Sequence, residues 1–518
     1  MSLLPRWSPL DKAALGLSAL SAGLIVLAFP DWGYSPLVFC FAVPWLWALE
    51  SVGPKMAYGT GVVFGTLALW GGFYWIGNWA ALVLEWPWPL NHLVGFGYAL
   101  VCAQAFGLIG WLVVKLRRPL GPLEPFGFAF VWLLVFSLFP WLFPFTLADS
   151  LGFTPLLLQP LEWTGPWALD FLILVSNGAI YLALRRPPSR PNGVPMLLAT
   201  IFALTWVGLS HWRLLDLESQ MAGVSQRRLG LVQTNRPASL KRQPPEPGFS
   251  PVYPLEMKLS QSLAEQGAEL IFWPEGHFYG YAYWVDVEAS FHQLTAEMAV
   301  PLFFLDSGWD EGPEGRRHYN TTFFLTAQGE LGGTYQKRHL VPFGETTPLV
   351  SDWPWLKSLL GAFLSNLSAG TSDAAFEAAG IRVVPKICYE ILFPVEVAEA
   401  IGTDGSGKLI LVQSQDGWYG QSSQPRQHLA SSILRAVENR VPLVHVINNG
   451  PSAVVLPTGK LSFLAPAFER GAWIAPLPFE ASQGGSFYSR HPGWTLGSLR
   501  WLGALLLLWG WWSLRKSK

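Results

Sequence analysis

Charge is scarce in this chain. Only 13% of its 518 residues are Asp, Glu, Lys or Arg, against roughly a quarter in soluble domains, so an ordinary water-soluble globule is excluded. The formal net charge is -1, which leaves no electrostatic footprint for nucleic acid. Cysteine is nearly absent: Cys40, Cys102 and Cys388 are the only three and lie far apart, so no disulfide framework is available. The 9 histidines form no metal-ligand spacing of the H-E-x-x-H kind. No metal and no cofactor is therefore expected. Internal repeats and low-complexity tracts are absent as well.

What the chain has in plenty is apolar and aromatic surface: 51% hydrophobic residues, with 28 Trp and 33 Phe. A membrane protein with a substantial water-facing part is expected. Residues 1–212 read as a membrane domain of seven apolar spans, near Ala13–Phe29, Ser35–Leu49, Tyr58–Ile76, Leu93–Val114, Pro125–Pro140, Trp167–Leu184 and Pro195–Leu209. Trp and Tyr crowd the span ends, as interfacial anchors do. Pro30-Asp31-Trp32 follows the first span where a cleavage site would need small residues, so that span is read as retained. Lys and Arg fall before span one and after spans two, four and six, and are missing from the connections between. The positive-inside rule then puts the N-terminus in the cytoplasm and the domain after span seven outside it. An eighth span in residues 495–518, about Thr495–Leu514, returns the chain to a basic cytoplasmic tail, with Arg500 placed to snorkel at its outer end.

Residues 227–484 are a different material. Strand-like runs at Leu229–Gln233, Leu270–Trp273, Pro301–Asp306, Thr322–Thr326, Val383–Ile387, Leu409–Gln413 and Leu443–Ile447 alternate with helix-like Val252–Gln266 and Gln424–Arg440. Such alternation argues an α/β domain. Gln328-Gly329 reads as the turn of a hairpin within it.

Three polar residues close apolar runs here: Glu275 in LIFWPEG, Lys337 in TYQKRHLVPFGE and Cys388 in VVPKICYE. Singly, each has a plain explanation: a paired carboxylate, a solvated hairpin charge, a small buried hydrophobe. Together they can run covalent chemistry. Glu275, if burial raises its pKa, takes the Cys388 proton. The thiolate attacks a carbonyl, and Lys337 with a backbone N–H following Cys388 stabilises the oxyanion. Collapse leaves a thioester, and Glu275 donates to the leaving group before deprotonating the next nucleophile.

WPE, YQKRHLVPFGE and CYE in this order resemble the Glu-Lys-Cys triad of the nitrilase superfamily. With the apolar spans, with LVQTN near Leu231, FPW at Phe139–Trp141, DGWYG at Asp416, RAVENRVP at Arg435 and NNGPSAVVLPTGK from Asn448, the whole chain resembles the bacterial apolipoprotein N-acyltransferases. The resemblance implies an α-β-β-α sandwich on a membrane bundle of about eight spans, in the inner membrane, with the catalytic domain on the periplasmic side. It implies transfer of an sn-1 acyl chain from a phospholipid to the α-amine of a diacylglyceryl-cysteine lipoprotein. The implied roles are base for Glu275, oxyanion stabiliser for Lys337 and nucleophile for Cys388, with Glu345, Tyr389 and Glu390 flanking the site. The chain departs from the family pattern at Gly276-His277, Arg242, Thr346, Gln415-Asp416 and His445.

The stretch DWPWLKSLLGAFLSNL, Asp352–Leu367, carries Trp353, Trp355 and Phe363 with few charges. It is either buried in the domain or an arm dipping into the outer leaflet. Two other functions stay open on the residues alone: a membrane-anchored amidase or hydrolase using the same triad, and a non-enzymatic scaffold with a degenerate domain.

Overall fold

The computed structural model describes residues 8–120, 123–185, 193–239, 243–276, 278–312, 315–342, 344–346 and 367–516. His277, Arg242 and the arm residues Trp353, Trp355 and Phe363 lie outside them. The chain forms two compact units, one of residues 1–80, 86–213 and 493–518, the other of residues 81–85 and 214–492.

The first unit is helical. Among the described residues, four helices are long and apolar enough to cross a membrane: Pro9–Ala28, Asn91–Arg117, Pro166–Leu184 and Gly193–Met221. The expected span at Ser35–Leu49 is instead a 3-10 turn, Ser35–Phe39, followed by an α-helix of 8 residues, Val43–Glu50. The expected span at Leu93–Val114 lies within helix Asn91–Arg117; its two segments Asn91–Cys102 and Gln104–Leu120 join at Ala103, whose N–H donates to the Ala99 carbonyl oxygen at 2.8 Å as in a helix. Proline at the start of Pro9–Ala28, Pro54–Gly72 and Pro166–Leu184 costs no intrahelical bond there. Pro54–Gly72 and Gln104–Leu120 approach closely: a Cβ on Gly61 would meet the Phe106 carbonyl oxygen at 2.2 Å, so only glycine fits. The Arg500 guanidinium donates to the Ser137 carbonyl oxygen at 2.6 Å, at the end of helix Glu124–Leu138.

Within this unit, polar groups from three connections meet. Arg117 pairs with Glu124 at 2.8 Å, Arg185 pairs with Glu50 at 2.6 Å, and the Tyr181 hydroxyl donates to Glu50. These residues border the second, fourth and sixth apolar segments.

Among the described residues, the second unit is built from twelve strands and the helices that cover them. In chain order they are β1 (Gln226–Gln233), α1 (Leu255–Glu265), β2 (Leu270–Phe272), α2 (Val285–Met298), β3 (Leu302–Gly312), β4 (Gly315–Leu325) and β5 (Leu331–Gln336). Then follow β6 (Phe376–Ala378), β7 (Ile381–Ile387), α3 (Pro394–Ile401), β8 (Lys408–Ser414), α4 (Gln424–Asn439), β9 (Leu443–Ile447), β10 (Ala453–Val455), β11 (Leu461–Leu464) and β12 (Gly471–Pro478). One six-stranded sheet has the order β12-β1-β2-β3-β4-β5 and the other β11-β10-β9-β8-β7-β6.

Side-chain alternation makes the layers. Leu229, Leu231, Phe272 and Phe303 from the first sheet share a core with Val383, Leu409, Leu411 and Val446 from the second. Their neighbours Ile271, Leu302 and Phe304 face the other way, onto Met257 and Leu263 of α1 and Val287 and Phe291 of α2. Strands buried on both faces read as continuous apolar runs, which is why they were visible in the sequence. The result is an α/β sandwich of the nitrilase kind.

The Gln328-Gly329 hairpin is present, with β4 and β5 antiparallel. Strands β3 and β4 run further than their apolar cores, to Gly312↔Gly315, because the ladder continues through polar residues. Helix α2 and strand β12 carried weak signals. Helix α2 buries only Val287, Phe291 and Thr295. Strand β12 contains Pro476 and Pro478, tolerated because it lies at the sheet edge.

Candidate active site

Strand ends assemble the site. Glu275 follows β2, Lys337 follows β5, and Cys388 follows β7. The first two belong to one sheet and the third to the other, so the two layers present their chemistry together.

Lys337 is fully buried, with its side chain 1% exposed. Its Nζ lies 2.8 Å from Glu345 Oε1 and 4.0 Å from Glu275 Oε1. A buried ammonium needs a partner, and Glu345 is the nearer one. Burial works to lower the Lys337 pKa, but the Glu345 and Glu275 carboxylates outweigh it and hold the ammonium charged. Glu345 is itself fixed by the Val341 N–H at 2.8 Å.

Glu275 is left less fully compensated. Burial raises its pKa above the ordinary carboxylate value; Lys337 opposes that and the Glu345 charge adds to it. Asn320 Nδ2 donates to Glu275 Oε1 at 2.5 Å, and the Gln415 N–H donates to Oε2 at 3.1 Å. These two donors fix the carboxylate's orientation. A carboxylate with a raised pKa beside a charged lysine is suited to move protons.

Cys388 is half-buried and takes φ +51°, a left-handed conformation rare for a residue with a side chain. Such strain costs on the order of 1–3 kcal/mol and persists only where the surroundings enforce it. The thiol is within electrostatic reach of Glu275 and Lys337. Burial pushes its pKa well up, the Glu275 charge adds to this, and Lys337 opposes it. At neutral pH it is a thiol that needs a base.

The flanking residues divide into two kinds. Glu345 is the counter-ion of Lys337. Glu390 is a clamp: its carboxylate accepts from the Tyr335 hydroxyl at 2.8 Å, the Arg338 N–H at 2.7 Å, the His339 N–H at 3.2 Å and the Ile387 N–H at 2.7 Å. It ties the chain leaving β5 to the end of β7 and so sets Lys337 against Cys388. Tyr389 is buried, with its ring edge-on to Phe393 at 5.0 Å. Gly276 takes φ +136°, and a Cβ there would lie 2.6 Å from Gln415 Nε2. That explains glycine directly after Glu275. Thr346 forms an isolated bridge with Pro342.

Sequence reasoning passed over Asn320, whose only local mark is its place in β4 opposite Lys337; the Lys337 N–H donates to its carbonyl oxygen at 2.9 Å. It also passed over a buried cluster of Asp416, His428 and His445, whose nearest side-chain donor atoms lie within 4.8 Å of one another. Both His428 nitrogens are already hydrogen-bonded, to Asp416 and to the Cys388 carbonyl. An ion would have to displace those bonds.

The fold and this Glu-Lys-Cys constellation define a carbon-nitrogen hydrolase domain, and the family model of that description, "Carbon-nitrogen hydrolase", matches residues 228–484. A second model, "Apolipoprotein N-acyltransferase N-terminal domain", matches residues 21–179. The chain belongs to the apolipoprotein N-acyltransferase family. It is 29% identical over 508 residues to the apolipoprotein N-acyltransferase of Geobacter metallireducens, covering 94% of this chain and 93% of that one. It is 27% identical over 512 residues to that of Pseudomonas syringae pv. tomato, covering 90% and 91%. Among solved structures, an amidase of the nitrilase superfamily from Nesterenkonia AN1 aligns with 23% identity and a TM-score of 0.36, over 49% of this chain and 90% of that one.

Proposed function

We propose that the protein is a lipoprotein N-acyltransferase that carries the acyl group on Cys388. The observation that supports this reading is the meeting of Glu275, Lys337 and Cys388 at the ends of β2, β5 and β7 in a chain with helices long and apolar enough to cross a membrane. Glu275 takes the thiol proton as sulfur attacks a phospholipid ester carbonyl. Lys337 offsets the charge on the resulting oxyanion. The lysophospholipid oxygen leaves with the proton from Glu275, and a thioester remains. The α-amine of a diacylglyceryl-cysteine then attacks the thioester, its proton passes through Glu275, and the thiol is restored.

The acyl donor and the sidedness are part of this proposal. A donor held at the bilayer surface avoids extracting a sixteen-carbon chain into water, which costs on the order of 12 kcal/mol at about 0.8 per CH₂. An eight-span topology with the catalytic domain outside the cytoplasm accounts for the basic connections. The meeting of Glu50, Arg117, Glu124 and Arg185 supports it, because these residues border segments that would end on the same, cytoplasmic side.

Intact mass spectrometry tests the chemistry. Protein given phospholipid should gain one acyl group, and Cys388→Ala should gain none and turn nothing over. A diacylglyceryl-cysteinyl peptide should clear the adduct, and the same peptide with a blocked α-amine should not. Glu275→Gln and Lys337→Met should each lower turnover by at least about 10². An adduct lost to water within seconds, with or without the amine, would instead make the protein a hydrolase.

A further inference from the structure

His428 stands on α4 at the back of the nucleophile. Its Nδ1 lies 2.9 and 3.1 Å from the two oxygens of the Asp416 carboxylate. Its Nε2 lies 3.2 Å from the carbonyl oxygen of Cys388. A carboxylate and a carbonyl oxygen only accept hydrogen bonds, so both ring nitrogens must carry protons. His428 is therefore an imidazolium, buried and paired with Asp416. The Ser414 hydroxyl holds the same carboxylate at 2.7 Å. The ring of His445 lies edge-on at 5.1 Å; its Nδ1 meets the Ser432 hydroxyl and its Nε2 has no hydrogen-bond partner among the described residues. Arg435, two turns along the same helix, donates to the Ile391 carbonyl oxygen at 3.2 Å. Helix α4 thus grips the turn after β7 at two carbonyls, and the first is that of the nucleophile itself.

The Cys388 carbonyl and the Tyr389 N–H belong to one rigid peptide plane and point in opposite directions. A donor that pins the carbonyl toward α4 turns the N–H away from α4. Hydrogen bonding at the oxygen also polarises the amide and makes its N–H a stronger donor. Cys388 takes φ +51°, a strained conformation that persists only where its surroundings hold it, and the bond at its carbonyl is one such contact.

We propose that the His428–Asp416 pair positions the oxyanion hole: by holding the Cys388 carbonyl, it fixes the Tyr389 N–H on the side where the carbonyl oxygen of the acyl group becomes charged. His428 is a positioning residue that acts through the Cys388–Tyr389 peptide and touches no substrate. The inference rests on Cys388 being the nucleophile. It predicts that losing the imidazolium harms the step in which an oxyanion forms, and spares both lipid binding and simple thiol chemistry.

The test compares wild type, His428→Phe, His428→Gln and Cys388→Ala in mixed micelles. Phenylalanine keeps the ring volume and removes the donors; glutamine keeps a donor near the Nε2 position. Two rates are read: acyl transfer from phospholipid, resolved into kcat and KM, and alkylation of Cys388 by iodoacetamide, which forms no oxyanion. His428→Phe should lose about 10² in kcat, the scale of one oxyanion donor, with KM within about twofold and alkylation within about threefold of wild type. His428→Gln should recover at least about tenfold of that loss. The proposal is overturned if His428→Phe keeps wild-type kcat, if alkylation falls in parallel with kcat, or if glutamine restores nothing. Should His428→Phe fail to fold, His428→Gln decides alone: a loss beyond about 10² with KM unchanged overturns the proposal. Turnover by Cys388→Ala would overturn the nucleophile reading itself. An inactive Cys388→Ala beside a fully active His428→Phe would overturn the positioning role only.

Discussion

Two carboxylates compete for one buried ammonium, and the outcome sets the acid–base chemistry. Glu345 sits at 2.8 Å from Lys337 Nζ and Glu275 at 4.0 Å. Glu345 therefore serves as the counter-ion, and Glu275 keeps a pKa raised chiefly by burial. In the proposed scheme Glu275 works as a base only when ionised, so activity should fall as pH drops through that raised pKa. Glu345→Gln removes a negative neighbour of Glu275 and frees Lys337 to pair with it. Both changes lower the Glu275 pKa. The acid limb of the kcat/KM profile should move to lower pH, while kcat falls because a better-paired carboxylate is a weaker base. A pH–rate profile checks this; an unmoved limb would mean that Glu345 does not act on Glu275. Glu390, by contrast, holds four donors and does no proton transfer in this scheme, so Glu390→Gln should lower kcat without shifting that limb.

At the scale of elements, loops after strands are held by buried acceptors. Asp306 on β3 accepts from the N–H groups of Tyr279, Gly280, Tyr281 and Ser307. The first three belong to the aromatic loop that follows Glu275. Burial still carries the Asp306 pKa to about 7 despite those donors. The unfolded carboxyl titrates near about 4, so between about pH 4 and 7 the folded protein binds the extra proton. This group's contribution to stability is therefore full below that window, declines as pH rises through it, and is constant above it. The difference in Tm between wild type and Asp306→Asn should accordingly be largest at about pH 4 and shrink by pH 7.5. Thermal unfolding in detergent at the two pH values checks the sign, and a difference that grows with pH would contradict it.

For the whole molecule, the predictions concern the membrane. A reporter fused after Gly223 should behave as extracytoplasmic and one after Arg185 as cytoplasmic; the reverse pattern at either point would end the eight-span topology. A thioester enzyme that waits for a scarce amine must keep water from the acyl carbon. Replacing Trp353, Trp355 and Phe363 together by Ser should weaken phospholipid use and shorten the life of the Cys388 adduct without acceptor. Unchanged adduct lifetime would show that those side chains take no part in excluding water.

The sequence by itself marked the layers and the three residues to which the proposed chemistry is assigned. Strands buried on both faces are written as apolar runs of alternating contact, so β1, β2, β3, β7, β8 and β9 were legible. Glu275, Lys337 and Cys388 stood out because polar groups at the ends of such runs are costly without a task. The scarcity of charge marked the apolar helices, although not that Ser35–Leu49 begins as a 3-10 turn, since apolar composition says little about which helical hydrogen bonds form locally. Only the tertiary structure decided which carboxylate compensates Lys337, that Asn320 orients Glu275, that Glu390 is a clamp, and that His428 reaches the carbonyl of Cys388 from 40 residues away. Residue types and periodicity are local and can be read along the chain. Hydrogen bonds between elements of two different sheets depend on strand register and on how the layers pack, which no short stretch of the sequence contains.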